Sequence, residues 1–317
     1  KDVVLRWFGA RDTTNFFVGV IADGGVDRLG VGVFVDSGQY GQAAGIAVIG
    51  VGYVEDLVAF RGDMLHRVHD GLEHAGVLIK DDDKYLMVDP MFSDLTWFIE
   101  DFSPLTFNPK QIPKPDHVLI THGHYDHLDK SSLSTLDKST HVISPLGHHQ
   151  VFQDLEMKNR TQLDWYDTYR NGDQSITFLP GNHWTMRNPF RGPNRSLWGG
   201  YMIETSVGRT IYIMGDSGYF DGFSEIGQDF DIDLVVINLG AYEPRWFMAS
   251  SHINPREAVQ AFKELNAKRM MIVHWGTFRL GDEPVHFPPN DLKKELEKEG
   301  LSHRLVDIKH GETFFFN

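Results

Sequence analysis

The chain has 317 residues, 41% of them hydrophobic, which suffices for one large domain or two smaller ones around a well-buried core. Its 30 Lys and Arg against 44 Asp and Glu leave a net charge of −14. That balance excludes nucleic acid as an expected partner and argues against electrostatic docking on an anionic membrane, since both need a basic face. The absence of cysteine removes disulfides, thiolate metal sites and cysteine nucleophiles together.

Residues 1–60 hold 11 of the 31 glycines. Strand-like runs at 16–21, 29–35 and 46–54, separated by Asp23-Gly24-Gly25 and Ser37-Gly38, predict a small antiparallel meander. Gly30-Val31-Gly32 and Gly50-Val51-Gly52 do not continue into GxGxxG, and both lie inside strand-like runs. They read as structural glycines and not as a dinucleotide loop. The uncharged stretch 37–54 contains Gln39, Gln42 and five glycines, too polar for a bilayer helix. We divide the chain into a Gly-rich β segment, 1–64, of unassigned role and expected to pack on the rest, and a main domain, 65–317. The sequence begins at Lys1, which leaves a leader peptide open. A soluble or peripheral protein is expected, with the cytoplasm ahead of other compartments.

From residue 65 onward, short apolar runs each end in a polar loop. Residues 85–88 lead into Asp89-Pro90, 117–121 into His122, and 176–179 into a loop carrying His183. Residues 211–214 lead into Gly215-Asp216, 234–239 into Gly240-Ala241, and 270–273 into His274. Runs with two apolar faces belong to sheets covered on both sides. Asp81-Asp82-Asp83-Lys84 reads as a hairpin turn. Residues 145–157 suggest an amphipathic helix with His148 and His149 on its surface. Asn254-Pro255-Arg256-Glu257 combines an N-cap, a first-turn proline and a capping-box glutamate, and 290–299 reads as a charged helix stopped by Gly300. The class is mixed α/β (α+β), with polar loops gathered at one end of successive strands.

The strongest chemical signal is His122-Gly123-His124-Tyr125-Asp126-His127, four coordinating side chains within six residues directly after an apolar strand. Alternate side chains His122 and His124 can converge on one cation, while Asp126 and His127 turn toward a second. Imidazole and carboxylate without thiolate suit Zn²⁺ first, and also Mn²⁺ or Fe²⁺. His183, Asp216 and His274 occupy comparable strand-end positions, and the two oxygens of Asp216 can reach both ions. Two divalent metal ions are therefore expected.

With these residues in place, the chain resembles the metallo-β-lactamase superfamily. Within it, Asn182-His183-Trp184, Gly215-Asp216-Ser217-Gly218-Tyr219, the run from Gly240-Ala241-Tyr242-Glu243-Pro244 to Arg245-Trp246-Phe247-Met248, and His274-Trp275-Gly276-Thr277-Phe278 look like the group of N-acyl-phosphatidylethanolamine-hydrolysing phospholipases D. Gly71-Leu72-Glu73-His74-Ala75-Gly76 matches that group's opening strand only in part. The resemblance implies a four-layer αββα sandwich with the metals at one edge of the two sheets. It implies that His122, His124 and His183 hold one ion, that Asp126, His127 and His274 hold the other, and that Asp216 bridges them. Asp89 would orient a ligand histidine from behind.

On this resemblance the expected activity is hydrolysis of a phosphodiester in an N-acyl-phosphatidylethanolamine-like phospholipid by a metal-activated hydroxide. Asp126 would orient the hydroxide and His252 would contact the substrate or leaving group. Tyr242, Arg245, Trp97 and Phe98 are the candidate substrate contacts. Arg187 is a second phosphate candidate, and Phe102 and Phe107 join Trp97 and Phe98 in an apolar lip or in simple loop packing. The alternatives are a lactonase on a phosphorylated sugar acid and a di-iron oxygenase or redox protein of the same fold. His124 stands where the flavin-coupled type carries glutamate, which counts against the last. Peripheral membrane contact through apolar groups and a homo-oligomer both stay open.

Overall fold

The computed structural model describes residues 74–95, 99, 101–103, 109 and 112–316. Ahead of them it describes the backbone of four strands. The chain divides into two units, Lys1–Met64 and Leu65–Asn317. In the first, strands β1 (Phe16–Ile21), β2 (Gly30–Val35) and β3 (Val48–Ile49) form an antiparallel sheet in the order β1-β2-β3. Gly30 and Gly32 lie inside β2, where a phosphate-binding turn has no place.

The second unit contains two sheets. The first uses β4 (Arg67–Leu72), β5 (Gly76–Asp81), β6 (Lys84–Val88), β7 (His117–Leu119), β8 (His141–Pro145) and β9 (Arg160–Leu163). The second uses β10 (Thr168–Asn171), β11 (Gln174–Leu179), β12 (Gly200–Glu204), β13 (Thr210–Ile213), β14 (Leu234–Asn238) and β15 (Arg269–Val273). The C-terminal β16 (Thr313–Phe315) returns to the first sheet beside β4, giving the orders β16-β4-β5-β6-β7-β8-β9 and β10-β11-β12-β13-β14-β15. Asp81 pairs with Lys84 across the two-residue turn Asp82-Asp83, as the hairpin reading expected.

Alternation along each strand sorts the side chains into layers. Ile79, Leu86, Val88, Leu119 and Ile143 meet Phe178, Tyr201, Ile213, Val236 and Val273 between the sheets. Met87, Val118 and Val142 point the other way, onto Leu133 of helix α1 (Lys130–Thr135) and Phe152 of α2 (His149–Asp154). Tyr212, Val235, Ile237 and Ile272 face α3 (Gly222–Asp229), α5 (Pro255–Glu264) and α6 (Pro288–Lys298). The short α4 (Arg245–Met248) lies outside this packing, with no buried residue. The result is a helix–sheet–sheet–helix sandwich. The capping box at Asn254 and Glu257 forms as the sequence suggests. Residues 145–157 differ: Pro145 closes β8 and the helix starts only at His149, because Gly147, at φ 98°, holds a left-handed backbone that interrupts a helical run. Among the described residues no helix is long and apolar enough to cross a membrane.

Topology puts the functional loops on one edge. β6, β7 and β8 run parallel, as do β13, β14 and β15, so their C-terminal ends coincide within each sheet. β11 is antiparallel to β12, which is antiparallel to β13, so β11 ends on that same side. β5 runs against β6, which brings its start, and the turn at His74, to the end of β6.

Candidate metal centre

Seven of the sequence-derived candidates converge at this edge. His122, His124, His183 and Asp216 form one group whose ligand atoms lie within 4.8 Å of one another. Asp126, His127 and His274 form another, joined by His74. Asp216 Oδ2 lies 3.8 Å from His122 Nε2, 3.8 Å from His183 Nε2 and 3.2 Å from His127 Nε2, while Oδ1 lies 3.3 Å from His274 Nε2. One carboxylate thus faces imidazoles of both groups.

The ring orientations follow from bonds on their far sides. His127 Nδ1 lies 2.7 Å from Asp89 Oδ2, and His183 Nδ1 lies 2.9 Å from the Ser251 carbonyl, so each ring donates there and turns its Nε2 inward. Thr121 Oγ1 donates to Asp89 Oδ2, which leaves it to accept from His122 Nδ1 at 3.0 Å. Asn238 Nδ2 donates to Asp216 Oδ1 at 2.8 Å. Asp89 therefore sits where the resemblance implied, behind a histidine of the second group.

Burial, the largest influence, pushes the carboxyls of Asp126 and Asp216 upward, but the surrounding histidines together, His127 first, with His274 beside both and His74 beside Asp126, outweigh it and hold them well below the usual carboxylate range. Burial lowers His122 well below its ordinary value and takes His183 to about 3. For His274 burial also pulls down, yet Asp216 and Asp126 outweigh it and raise the ring to about 9. His127 Nε2 and His274 Nε2 are buried, and each faces an oxygen of Asp216. Inward-facing imidazole nitrogens clustered around ionised carboxylates fit divalent cations with a taste for nitrogen and oxygen donors, which would take the place of the protons on His127 and His274.

Other candidates fall differently. The His252 ring centroid lies 5.2 Å from that of His183 and 5.7 Å from that of His274, between the two groups, and its side chain can join Asp216 and His274 as a third set. Tyr242 and Arg245, the candidate substrate contacts, are engaged within the protein. The Tyr242 ring is buried with its hydroxyl 3.3 Å from Asp291, and Arg245 pairs with Glu257 at 2.7 Å while donating to the carbonyls of Tyr242 and His252. Both brace the loop before His252. Arg187 is likewise a brace, its Nη1 donating to the carbonyls of Gly123 and Leu128 at the two ends of the metal-ligand loop. Trp97, Phe98 and Phe107 lie outside the described residues, and Phe102 is partly exposed.

Sequence reasoning missed two histidines. His148, expected on the surface, is 2% exposed and packs behind Gly123, because the helix begins one residue later and His148 turns inward; His149 is exposed as expected. His74 enters the second group, with Nε2 3.0 Å from Asp126 Oδ2. Only its place in a partly matching stretch hinted at that.

A family model described as "Beta-lactamase superfamily domain" matches residues 84–275. The chain is 33% identical over 249 residues to N-acyl-phosphatidylethanolamine-hydrolyzing phospholipase D 1 of Caenorhabditis elegans, covering 71% of this chain and 68% of that relative. It is 32% identical over 247 residues to the mitochondrial N-acyl-phosphatidylethanolamine-hydrolyzing phospholipase D of Saccharomyces cerevisiae, covering 73% of this chain but only 52% of the relative, so the chain spans about half that protein's length. Among solved structures, Igni18, a metallo hydrolase of Ignicoccus hospitalis, superposes with a TM-score of 0.60 at 19% identity, over 80% of this chain and 99% of that one, a likeness of fold.

Proposed function

The chain belongs to the beta-lactamase superfamily, and from that premise we propose that this metal-dependent hydrolase is a two-metal phosphodiesterase of the phospholipase D type, acting on N-acyl-phosphatidylethanolamine-like lipids. The observation that carries the reading is Asp216, one buried carboxylate within reach of histidines from both ligand groups. Two ions sharing a carboxylate suit in-line displacement at phosphorus, where attacking and leaving oxygens both need neutralising. Zinc fits the donor set best, with manganese or iron as the alternatives. Bound there, the cations would acidify a water and offset charge on the phosphoryl oxygens.

The chain's own residues supply the rest. Asp126, at the junction of His127, His274 and His74, is placed to align the attacking water. Burial lowers His252 to about 4, so its ring is neutral near pH 7 and donates a hydrogen bond to a phosphoryl or leaving-group oxygen instead of acting as a charged acid. Trp246 and Phe247 are 86% and 64% exposed on α4, and the backbone N–H of His252 bonds the carbonyl of Met248 at that helix's end. Two exposed aromatic rings on the turn leading into the site support approach to a lipid surface.

The test is hydrolysis of N-acyl-phosphatidylethanolamine in mixed vesicles by the zinc-loaded protein, read as released N-acylethanolamine, beside a lactone panel. Lactone opening with no cleavage of any phosphodiester would overturn the reading.

A further inference from the structure

His74 lies on the turn between β4 and β5, on a different element from every other residue of the centre, and its ring is almost wholly enclosed. Four contacts fix it. Its backbone N–H bonds Thr277 Oγ1 at 3.1 Å, its carbonyl accepts the His274 N–H at 3.0 Å, and its ring centroid lies 4.0 Å from that of His274 and 5.2 Å from that of Phe278. The backbone is left-handed there, with φ 63°, an unfavourable conformation for a residue with a Cβ. Strain of that kind survives only where the surroundings over-determine it.

The tautomer follows from hydrogen bonding. Nε2 faces Asp126 Oδ2 at 3.0 Å, and Nδ1 is buried with no partner among the described residues. Placing the proton on Nδ1 would bury an unsatisfied donor and set an Nε2 lone pair against a carboxylate. Placing it on Nε2 makes a charge-assisted bond and leaves only an acceptor unmet, the cheaper arrangement. A nitrogen that donates to Asp126 is not available as a ligand.

We propose that His74 is a positioning residue for the second cation alone: it aims Asp126 through an Nε2–H bond and seats the His274 ring by packing its own ring against it. His122, His124 and His183 make no recorded contact with it, so the first cation should not feel its loss. The inference rests on the two-cation reading and is independent of the substrate. Removal of a partner that orients a metal ligand weakens affinity by about ten- to a hundredfold.

The experiment is a zinc titration of the full chain against a competing chelator, for the wild type and for His74→Ala, His74→Leu and His74→Gln. Leucine fills the space without a donor, and glutamine returns an N–H to about the place of Nε2. All three share the left-handed backbone, so its strain does not separate them. The wild type should bind two equivalents. The Ala and Leu variants should keep one tight equivalent and bind the other about ten- to a hundredfold more weakly, and Gln should recover much of the loss. Equal binding of both equivalents by wild type and Leu variant, or equal weakening of both, would overturn the inference alone. A wild type that takes up only one ion would overturn it together with the two-cation reading.

Discussion

Asp89 Oδ2 stands 2.7 Å from His127 Nδ1, while Asp89 Oδ1 accepts the backbone N–H of Thr121 at 2.8 Å, so one buried carboxylate ties the end of β6 to the metal-ligand loop after β7. Asp89→Ala should free the His127 ring and lower zinc affinity by about ten- to a hundredfold. It also strands the buried Thr121 N–H, at a cost of about 1–3 kcal/mol. Chelator competition and thermal melts measure the two effects separately. Unchanged zinc affinity would mean that packing alone aims His127.

Proton release should accompany metal uptake. His274, raised to about 9 by Asp216 and Asp126 against the pull of burial, holds its proton in the metal-free chain at neutral pH. A ligand imidazole must be neutral, so binding below about pH 9 expels that proton, and apparent affinity falls as the solution is acidified. Zinc calorimetry at pH 7.5 in buffers of different ionisation enthalpy reads the number released. Zero protons released would contradict the ionisation ascribed to His274.

His252→Ala should retain both ions, since His252 is surplus to the two main ligand groups, yet lower kcat/KM by roughly a hundredfold, mainly through kcat. Because burial depresses its ionisation to about 4, the ring is neutral from pH 5.5 upward and the rate there should not titrate with it. A fully metallated variant with near-normal turnover would return His252 to a structural role.

Gly123 packs so closely that a Cβ would lie 2.7 Å from both His148 Cε1 and Thr185 Oγ1. Gly123→Ala should therefore push the ligand loop off its support, costing about 1–3 kcal/mol and loosening both ions. Melting temperature and metal content check it, and an alanine variant that melts and binds zinc like the wild type would show that His148 can yield.

Four coordinating residues in the six of 122–127 are visible in one dimension because they share a single loop directly after a strand, so local spacing is enough to reveal them. The same holds for the capping box at Asn254, whose partners are three residues apart, and for the strand ends, which two-sided apolar runs betray. What each isolated side chain meets is another matter. His74 finds Thr277 across 203 positions, and Tyr242 finds Asp291 across 49. His148 goes inward because a helix starts at His149, and Arg245 is held by Glu257 of the next helix. Residue type and period determine which segments become strands, helices and ligand-bearing loops. Only the pairing order within each sheet and the stacking of the two sheets, which together bring the ends of β6, β7 and β15 and the turn before β5 to one edge, decide which distant groups share a buried space, and a lone histidine carries no local mark of that.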